Sequence, residues 1–410
     1  MGEGTVDGLV GIELFVLLVA VATAVALVTR RSVLPYSVAL VLAGLGLSVL
    51  FPGAHVSITP ELILAVLLPG LVFEAAYKLD LRELRRTFGI VVVLAAPGVL
   101  ITAGLVAVVV SAATGLDVKL AFLLRAMISA TDPVAVVAMF KRLGAPSTLA
   151  TAVEAESLLN DGTGVVLFSI ALAALSQPMG LAEGVVSFVA TVVFSVAVGL
   201  AVGFVAYRLM LRANDHLLEI AISLVAAYGT YLVADRLHES GIIATVVVGL
   251  VIGYASGPHR LSERTIEALD TVWDFVAFLL TALTFLLVGL AISPELLMRA
   301  APVIIAGFVA ITVARALVVY GLIGGGERLL PRASLLPLGH LHVMFWSGLR
   351  GAIAVALALS LPRDLPDRDL LTGAVYGIVL ITLLVQGTTA GWVVRRSGIP
   401  TNPPAARNEE

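Results

Sequence analysis

The sequence predicts an all-α polytopic membrane protein of about thirteen transmembrane helices, in two inverted six-helix repeats. Three observations carry that prediction. The 410 residues are 60% hydrophobic and only 13% charged, with mean hydropathy +1.07, where a soluble chain carries about 25% charged residues. Apolar runs near the length that crosses a bilayer core, about 20 residues, follow one another along almost the whole chain. The basic residues between the runs alternate in number, as the positive-inside rule requires of a chain weaving through a membrane.

Taken in order, the runs are roughly 10–29, 34–50, 61–76, 88–113, 120–140, 147–176, 184–211, 216–235, 241–256, 266–293, 300–324, 338–361 and 370–394. The first lacks a basic flank and a cleavage site, so it is expected to be a mature span rather than a signal peptide. The third and ninth are short enough to be re-entrant. With the N-terminus outside, inside segments hold seventeen basic residues, from Arg30 and Arg31 to Arg395, Arg396 and Arg407, with Arg208 at the inner end of the seventh run counted among them, and every inside loop then has at least two. Outside segments hold five, Lys119, Arg236, Arg299, Arg363 and Arg368. Arg125, Arg315 and Arg350 remain inside spans. The parse therefore predicts thirteen spans, N-terminus out and C-terminus cytoplasmic, with 395–410 a short cytoplasmic tail. Residues 79–86, with Leu81 and Leu84 among Arg82, Arg85 and Arg86, read either as a short interfacial helix or as a charged loop.

An odd count suits six spans mirrored by six, with the seventh as linker, an arrangement common in secondary transporters. Asp132-Pro133-Val134-Ala135-Val136 in the fifth span has a faint counterpart in Arg350-Gly351-Ala352-Ile353-Ala354 of the twelfth. Each is a charge, a helix disrupter and a run of small apolar residues.

Charges inside spans are the candidates for function, because a carboxylate at the centre of a membrane helix costs about 2.5–3.5 kcal/mol on insertion scales. Pro133 cannot donate a backbone hydrogen bond and biases Asp132 away from helical geometry. A break at Thr131-Asp132 would free carbonyls and half-helix ends, which line cavities and coordinate ions at membrane depth; the plainer alternative is a proline kink. In the sixth span, Glu154, Ser157 and Asp161 share one helical face and Glu156 and Asn160 another. Asp161 and Ser157 can then look into an ion cavity while Glu156 looks elsewhere. Glu156 needs a counter-charge, and Arg315 in the eleventh span is the best available partner. Glu74, near the end of the third span, is a further cavity carboxylate or an interfacial residue. Glu13, Asp270 and Asp274 lie near span ends and read as solvated. Arg350, between Gly348 and Gly351, is placed to neutralise a half-helix C-terminus or to pack structurally.

Other chemistries find little support. His340 and His342 have no third metal ligand nearby, Ser157 has no histidine partner in its motif, and no phosphate loop is present. There is no cysteine, and a net charge of −3 gives no case for nucleic acid. The expectation is a transporter and not an enzyme, with no cofactor. Arginine outnumbers lysine 22 to 3, which hints at a GC-rich bacterium.

Ile128-Ser129-Ala130-Thr131-Asp132-Pro133-Val134-Ala135-Val136 resembles the fifth-helix signature of NhaP-type sodium/proton antiporters, prokaryotic relatives of the animal sodium/hydrogen exchangers. Glu154-Ala155-Glu156-Ser157-Leu158-Leu159-Asn160-Asp161-Gly162-Thr163 resembles their sixth-helix motif. Ala314-Arg315 resembles their eleventh-helix arginine, and Gly348-Leu349-Arg350-Gly351-Ala352 their twelfth-helix motif. Order and spacing agree across nearly the whole chain. The resemblance implies a 13-helix homodimer in a bacterial or archaeal inner membrane, serving pH homeostasis, with crossed, unwound fifth and twelfth helices. It implies a Na+ site of Asp161 and Asp132 with Thr131 and Ser157 oxygens, Glu74 a further candidate, and a Glu156–Arg315 pair. Asn160 before Asp161 implies electroneutral exchange. Two bodies are expected, a core of roughly 61–176 and 266–394 and a dimerisation scaffold of roughly 10–50 and 184–256. Potassium/proton exchange on the same site, or a gated cation channel, are the alternatives. Arg125 departs from the family, which usually has a small residue there.

Overall fold

The computed structural model describes residues 3–30, 32, 34–50, 59–177, 179–213, 215–255, 261–325 and 337–400. Of the basic residues counted above, Arg31, Arg260, Arg328, Arg332 and Arg407 lie outside these, as does the end of the tail. Every regular element among the described residues is helical: α1 (Glu3–Thr29), α2 (Tyr36–Leu50), α3 (Leu68–Lys78), α4 (Leu81–Val93), α5 (Val99–Thr114), α6 (Val118–Met127), α7 (Val134–Leu143), α8 (Ser147–Ser176), α9 (Leu181–Ala213), α10 (His216–Arg236), α11 (Gly241–Ala255), α12 (Glu263–Ala291), α13 (Pro294–Ala316), α14 (Leu338–Trp346), α15 (Ala352–Leu359), α16 (Arg368–Ile381) and α17 (Thr388–Arg396). Backbone polar groups have no water partner in lipid, so helices satisfy them internally.

π-helical turns precede α3 (Leu62–Leu67), join α4 to α5 (Leu94–Gly98), extend α13 (Leu317–Ile323) and join α16 to α17 (Thr382–Gly387). Pro97 accounts for the second, since a proline cannot donate to the carbonyl one turn back and the wider turn absorbs the misfit. Among the described residues, seven helices, counted through these turns, are long and apolar enough to cross a membrane: 81–114, 147–176, 181–213, 216–236, 263–291, 294–323 and 368–396. Shorter apolar stretches are 15–29 within α1, α2 and 241–254 in α11, and α6/α7 and α14/α15 are interrupted.

Residues 79–86 are neither a separate surface helix nor a loop. Residues 81–86 open α4, continuous through the π turn with α5, and Asp80 just before it accepts from the Arg82 and Glu83 N–H groups at 2.8 and 3.2 Å. A capping carboxylate lets the charged first turns continue into the apolar run without a break. Asp117, Asp215 and Ser262 cap α6, α10 and α12 in the same way.

The packing separates lipid-facing from buried helices. α2 lies along α12, α11 along α3 and α9, and α13 along α16 and α5. α16 and α15 are almost wholly enclosed, whereas α9 leaves Val186, Val193, Phe194, Phe204 and Val205 exposed. So much contiguous apolar surface is stable only against lipid or another protein.

Candidate functional site: two helix breaks facing an acidic helix

α6 stops at Met127, and residues 129–133 leave the helical conformation before α7 begins. α14 stops at Trp346, and residues 348–351 do the same before α15. The two breaks meet. Asp132 N–H donates to Leu349 O at 2.9 Å. Arg350 Nη1 donates to Ser129 O at 2.7 Å and Ala130 O at 3.3 Å, and Arg350 N–H donates to Thr382 Oγ1 at 3.1 Å. Carbonyls that a continuous helix would have satisfied are thus taken up by one buried guanidinium. Gly351 makes the approach possible, because a Cβ there would stand 2.5 Å from Asp132 Oδ2. Asp132 Oδ1 in turn accepts from Val134 N–H at 3.0 Å, which fixes the carboxylate at the N-terminus of α7.

α8 supplies the opposing wall. Thr131 Oγ1 and Ser157 Oγ are hydrogen-bonded at 3.0 Å. Thr131 N–H faces the Asp161 carboxylate, and Asp161 lies within electrostatic range of Asp132. Asn160 Nδ2 donates to Thr131 Oγ1 and to Glu156 Oε1, each at 3.3 Å. Sequence periodicity puts Asn160 on the face away from Asp161, yet it joins the Thr131 cluster. Ser157 and Asn160 are three residues apart and so are neighbours on the helix surface, and the irregular break reaches across both.

Glu156 and Arg315 form a bidentate pair, Nη1 to Oε1 at 2.7 Å and Nη2 to Oε2 at 3.1 Å. Arg315 also donates to Met344 O at 2.6 and 3.2 Å and to Phe345 O at 3.1 Å, at the C-terminal end of α14. One guanidinium therefore ties α8, α13 and the second break together. Gly348 leaves room for it, since a Cβ there would stand 2.7 Å from Arg315 Nε.

Glu74 stands apart from this cluster, paired with Lys78 at 3.5 Å, and Lys78 also pairs with Asp274. That three-residue network escaped sequence reasoning because Lys78 and Asp274 are 196 residues apart; the i,i+4 spacing of Glu74 and Lys78 was the only local signal. Thr102 and Thr382 were also missed. They hold Arg125 and the Arg350 backbone, and an isolated threonine in an apolar helix gives no signal of a distant partner. His342 is engaged with the Tyr320 hydroxyl at 2.8 Å.

The site thus gathers two carboxylates and two hydroxyls, hard oxygen donors suited to an alkali cation. Asp161 and Asp132 also carry exchangeable protons, so cation and proton can claim the same groups.

Comparison with known proteins identifies the family and the fold. The family model described as "Sodium/hydrogen exchanger, transmembrane" matches residues 16–396. The chain is 35% identical over 406 residues to the Na+/H+ antiporter ApNhaP of Aphanothece halophytica, covering 97% of this chain and 77% of that protein. It is 34% identical over 397 residues to the Na+/H+ antiporter NhaH of Halobacillus dabanensis, covering 93% and 97%. Its fold matches the sodium proton antiporter MjNhaP1 of Methanocaldococcus jannaschii with TM-score 0.76 at 19% identity, over 95% of this chain and 99% of that one. A multi-pass membrane chain with these motifs in this order, matched nearly end to end, belongs to the sodium/hydrogen exchanger family.

Proposed function

We propose that the chain is an electroneutral secondary antiporter that exchanges Na+ or Li+ for H+ across the membrane by alternating access. The observation that carries the reading is the meeting of Asp161, Asp132, Thr131 and Ser157 where two helix breaks face α8. The names of the relatives, Na+/H+ antiporters, point the same way.

In this mechanism Asp161 is the shared carrier. Ionised, it binds a cation with Asp132 and the Thr131 and Ser157 oxygens; protonated, it binds none. Only the two loaded forms cross, so competition for one carboxylate enforces exchange without a separate coupling device. Low pH on the cation-loading side should switch transport off as protons occupy the site. Glu156 acts through Arg315, Asn160 adds no charge beside it, and Pro133 and Arg350 keep the breaks open. Glu74, paired with Lys78, remains a further candidate ligand in this reading. The moving body is the core of roughly 61–176 and 266–394, with α6–α8 and α13–α15 in it, against a scaffold of roughly 10–50 and 184–256. Thirteen spans with crossed fifth and twelfth helices, the N-terminus outside, and a homodimer complete the proposal.

The test is purified protein in proteoliposomes with a pH-reporting dye. Na+ should drive proton movement in wild type, and Asp161→Asn should abolish it while the protein remains folded; normal sodium-driven exchange in that variant would sink the assignment. Asp132→Asn should weaken cation dependence more than folding. Titrating Na+, Li+ and K+ decides whether potassium replaces sodium as substrate. Uphill cation movement driven by an imposed pH gradient excludes a channel. A rate unchanged by an imposed membrane potential supports electroneutrality.

A further inference from the structure

Arg125 has no part in that mechanism, and its surroundings are unusual. It lines a cavity of about 30 Å3 together with Arg315, Arg350, Glu156, Thr102 and Asn160. That volume exceeds the roughly 10–15 Å3 needed for one water and accommodates an ion of chloride size. The charges on its wall do not balance. Arg315 and Glu156 cancel each other. Arg350 is bonded to the Ser129 and Ala130 carbonyls and shares the field of Glu156 with Arg315, but it is in no ion pair among the described residues, and its Nε meets no protein acceptor among them. Arg125 gives Nη2 to the Thr102 hydroxyl at 2.7 Å, while its Nε and Nη1 meet no protein acceptor among the described residues. Arg125 is 4% and Arg350 2% exposed.

An unpaired buried charge is among the most unfavourable arrangements in a protein interior, and donors left unmatched add to it. Water in the cavity would match the donors, and would also serve Asn160 Oδ1, an acceptor likewise without a partner. It would leave the two positive charges unbalanced. An anion does both for the arginines, and a guanidinium edge presents neighbouring N–H groups to it.

We propose that this cavity is a binding site for a small monovalent anion of the halide class, held by Arg125 Nε and Nη1 and Arg350 Nε. Because Arg350 also holds the Ser129 and Ala130 carbonyls beside Thr131, the anion would steady the fifth-helix break from behind. The site is independent of which cation is exchanged, and of whether exchange occurs at all.

The test compares the melting temperature of the purified full-length chain in sodium chloride, sodium bromide and sodium gluconate at equal sodium and ionic strength. Chloride and bromide should raise it over gluconate by about 2–4 °C, and Arg125→Met should lose that difference. In crystals grown in bromide, an anomalous difference peak should lie beside Arg125 and Arg350 in the wild-type protein, a readout that stands even if Arg125→Met does not fold. Equal melting in all three salts with no bromide peak would overturn the proposal and assign the cavity to water. A halide effect that persists in Arg125→Met without a peak would also overturn it, as a general salt effect.

Discussion

Removing either partner of the Glu156–Arg315 pair should not cost the same, and the asymmetry can be worked from their contacts. Glu156→Gln leaves Arg315 with three hydrogen bonds to the Met344 and Phe345 carbonyls, at 2.6, 3.1 and 3.2 Å. The guanidinium loses its counter-charge but keeps acceptors, so the cost should be near that of a charged hydrogen bond, about 1.5–3 kcal/mol. Arg315→Met leaves the Glu156 carboxylate, 3% exposed, with one long neutral bond from Asn160 at 3.3 Å. A stranded buried charge costs about 3–5 kcal/mol, and the C-terminal carbonyls of α14 lose their donor as well. For a chain of this size each kcal/mol moves the melting temperature by about 1–2 °C. Arg315→Met should therefore melt well below Glu156→Gln, and the double variant should fall short of the sum of the two, since the second change removes a charge the first has stranded. The measurement is thermal unfolding of the three variants and wild type at one pH and salt. Equal losses, or Glu156→Gln as the worse variant, would refute the claim that the α14 carbonyls hold Arg315 independently of Glu156.

Three further outcomes follow from the geometry. Gly351→Ala would put a methyl 2.5 Å from Asp132 Oδ2, costing about 1–3 kcal/mol of overpacking and cutting exchange in proteoliposomes more than it lowers melting; Gly46→Ala, where nothing lies within 4 Å, is the neutral control. Asn160→Asp would set a second carboxylate near Glu156 and strip Thr131 of its donor, so melting should fall by a cost of about 1–3 kcal/mol. Asp215, capping α10 in the loop before it, is held below the usual carboxylate range by hydrogen bonds from Leu218 N–H and Leu217 N–H. Its depressed folded-state value means the cap's contribution is complete above the unfolded-state value and fades as pH falls through the folded one. The acid limb of a melting-against-pH curve should therefore flatten in Asp215→Asn, which keeps the cap and removes the titration; an unchanged limb would count against that role.

Much of the site is legible in the chain because lipid makes polar residues conspicuous. Asp132, Asp161, Glu156 and Arg315 stand out as charges within apolar runs, and Pro133 marks the interruption between α6 and α7. The same reasoning missed Thr102, Thr382 and the Lys78–Asp274 contact, whose signals are single residues with partners 23, 32 and 196 positions away. It also misread residues 79–86. Charge density there suggested a surface segment, but an N-terminal cap lets a charged turn begin a long helix.

By itself the sequence determined the medium and the helical class, through 60% hydrophobic residues in repeated apolar runs, and the few polar side chains on which function must rest. Which of those side chains meet was decided only by tertiary structure. Helical periodicity sets Asn160 on another face from Asp161, yet Asn160 bonds the Thr131 hydroxyl that Ser157 also holds; Arg350 is bonded to carbonyls more than 200 residues earlier in the chain; Arg125 shares a cavity with two other arginines. The physical reason is the broken helices. Periodicity predicts neighbours only while a helix continues, and at an interruption the freed backbone groups take partners wherever packing brings them.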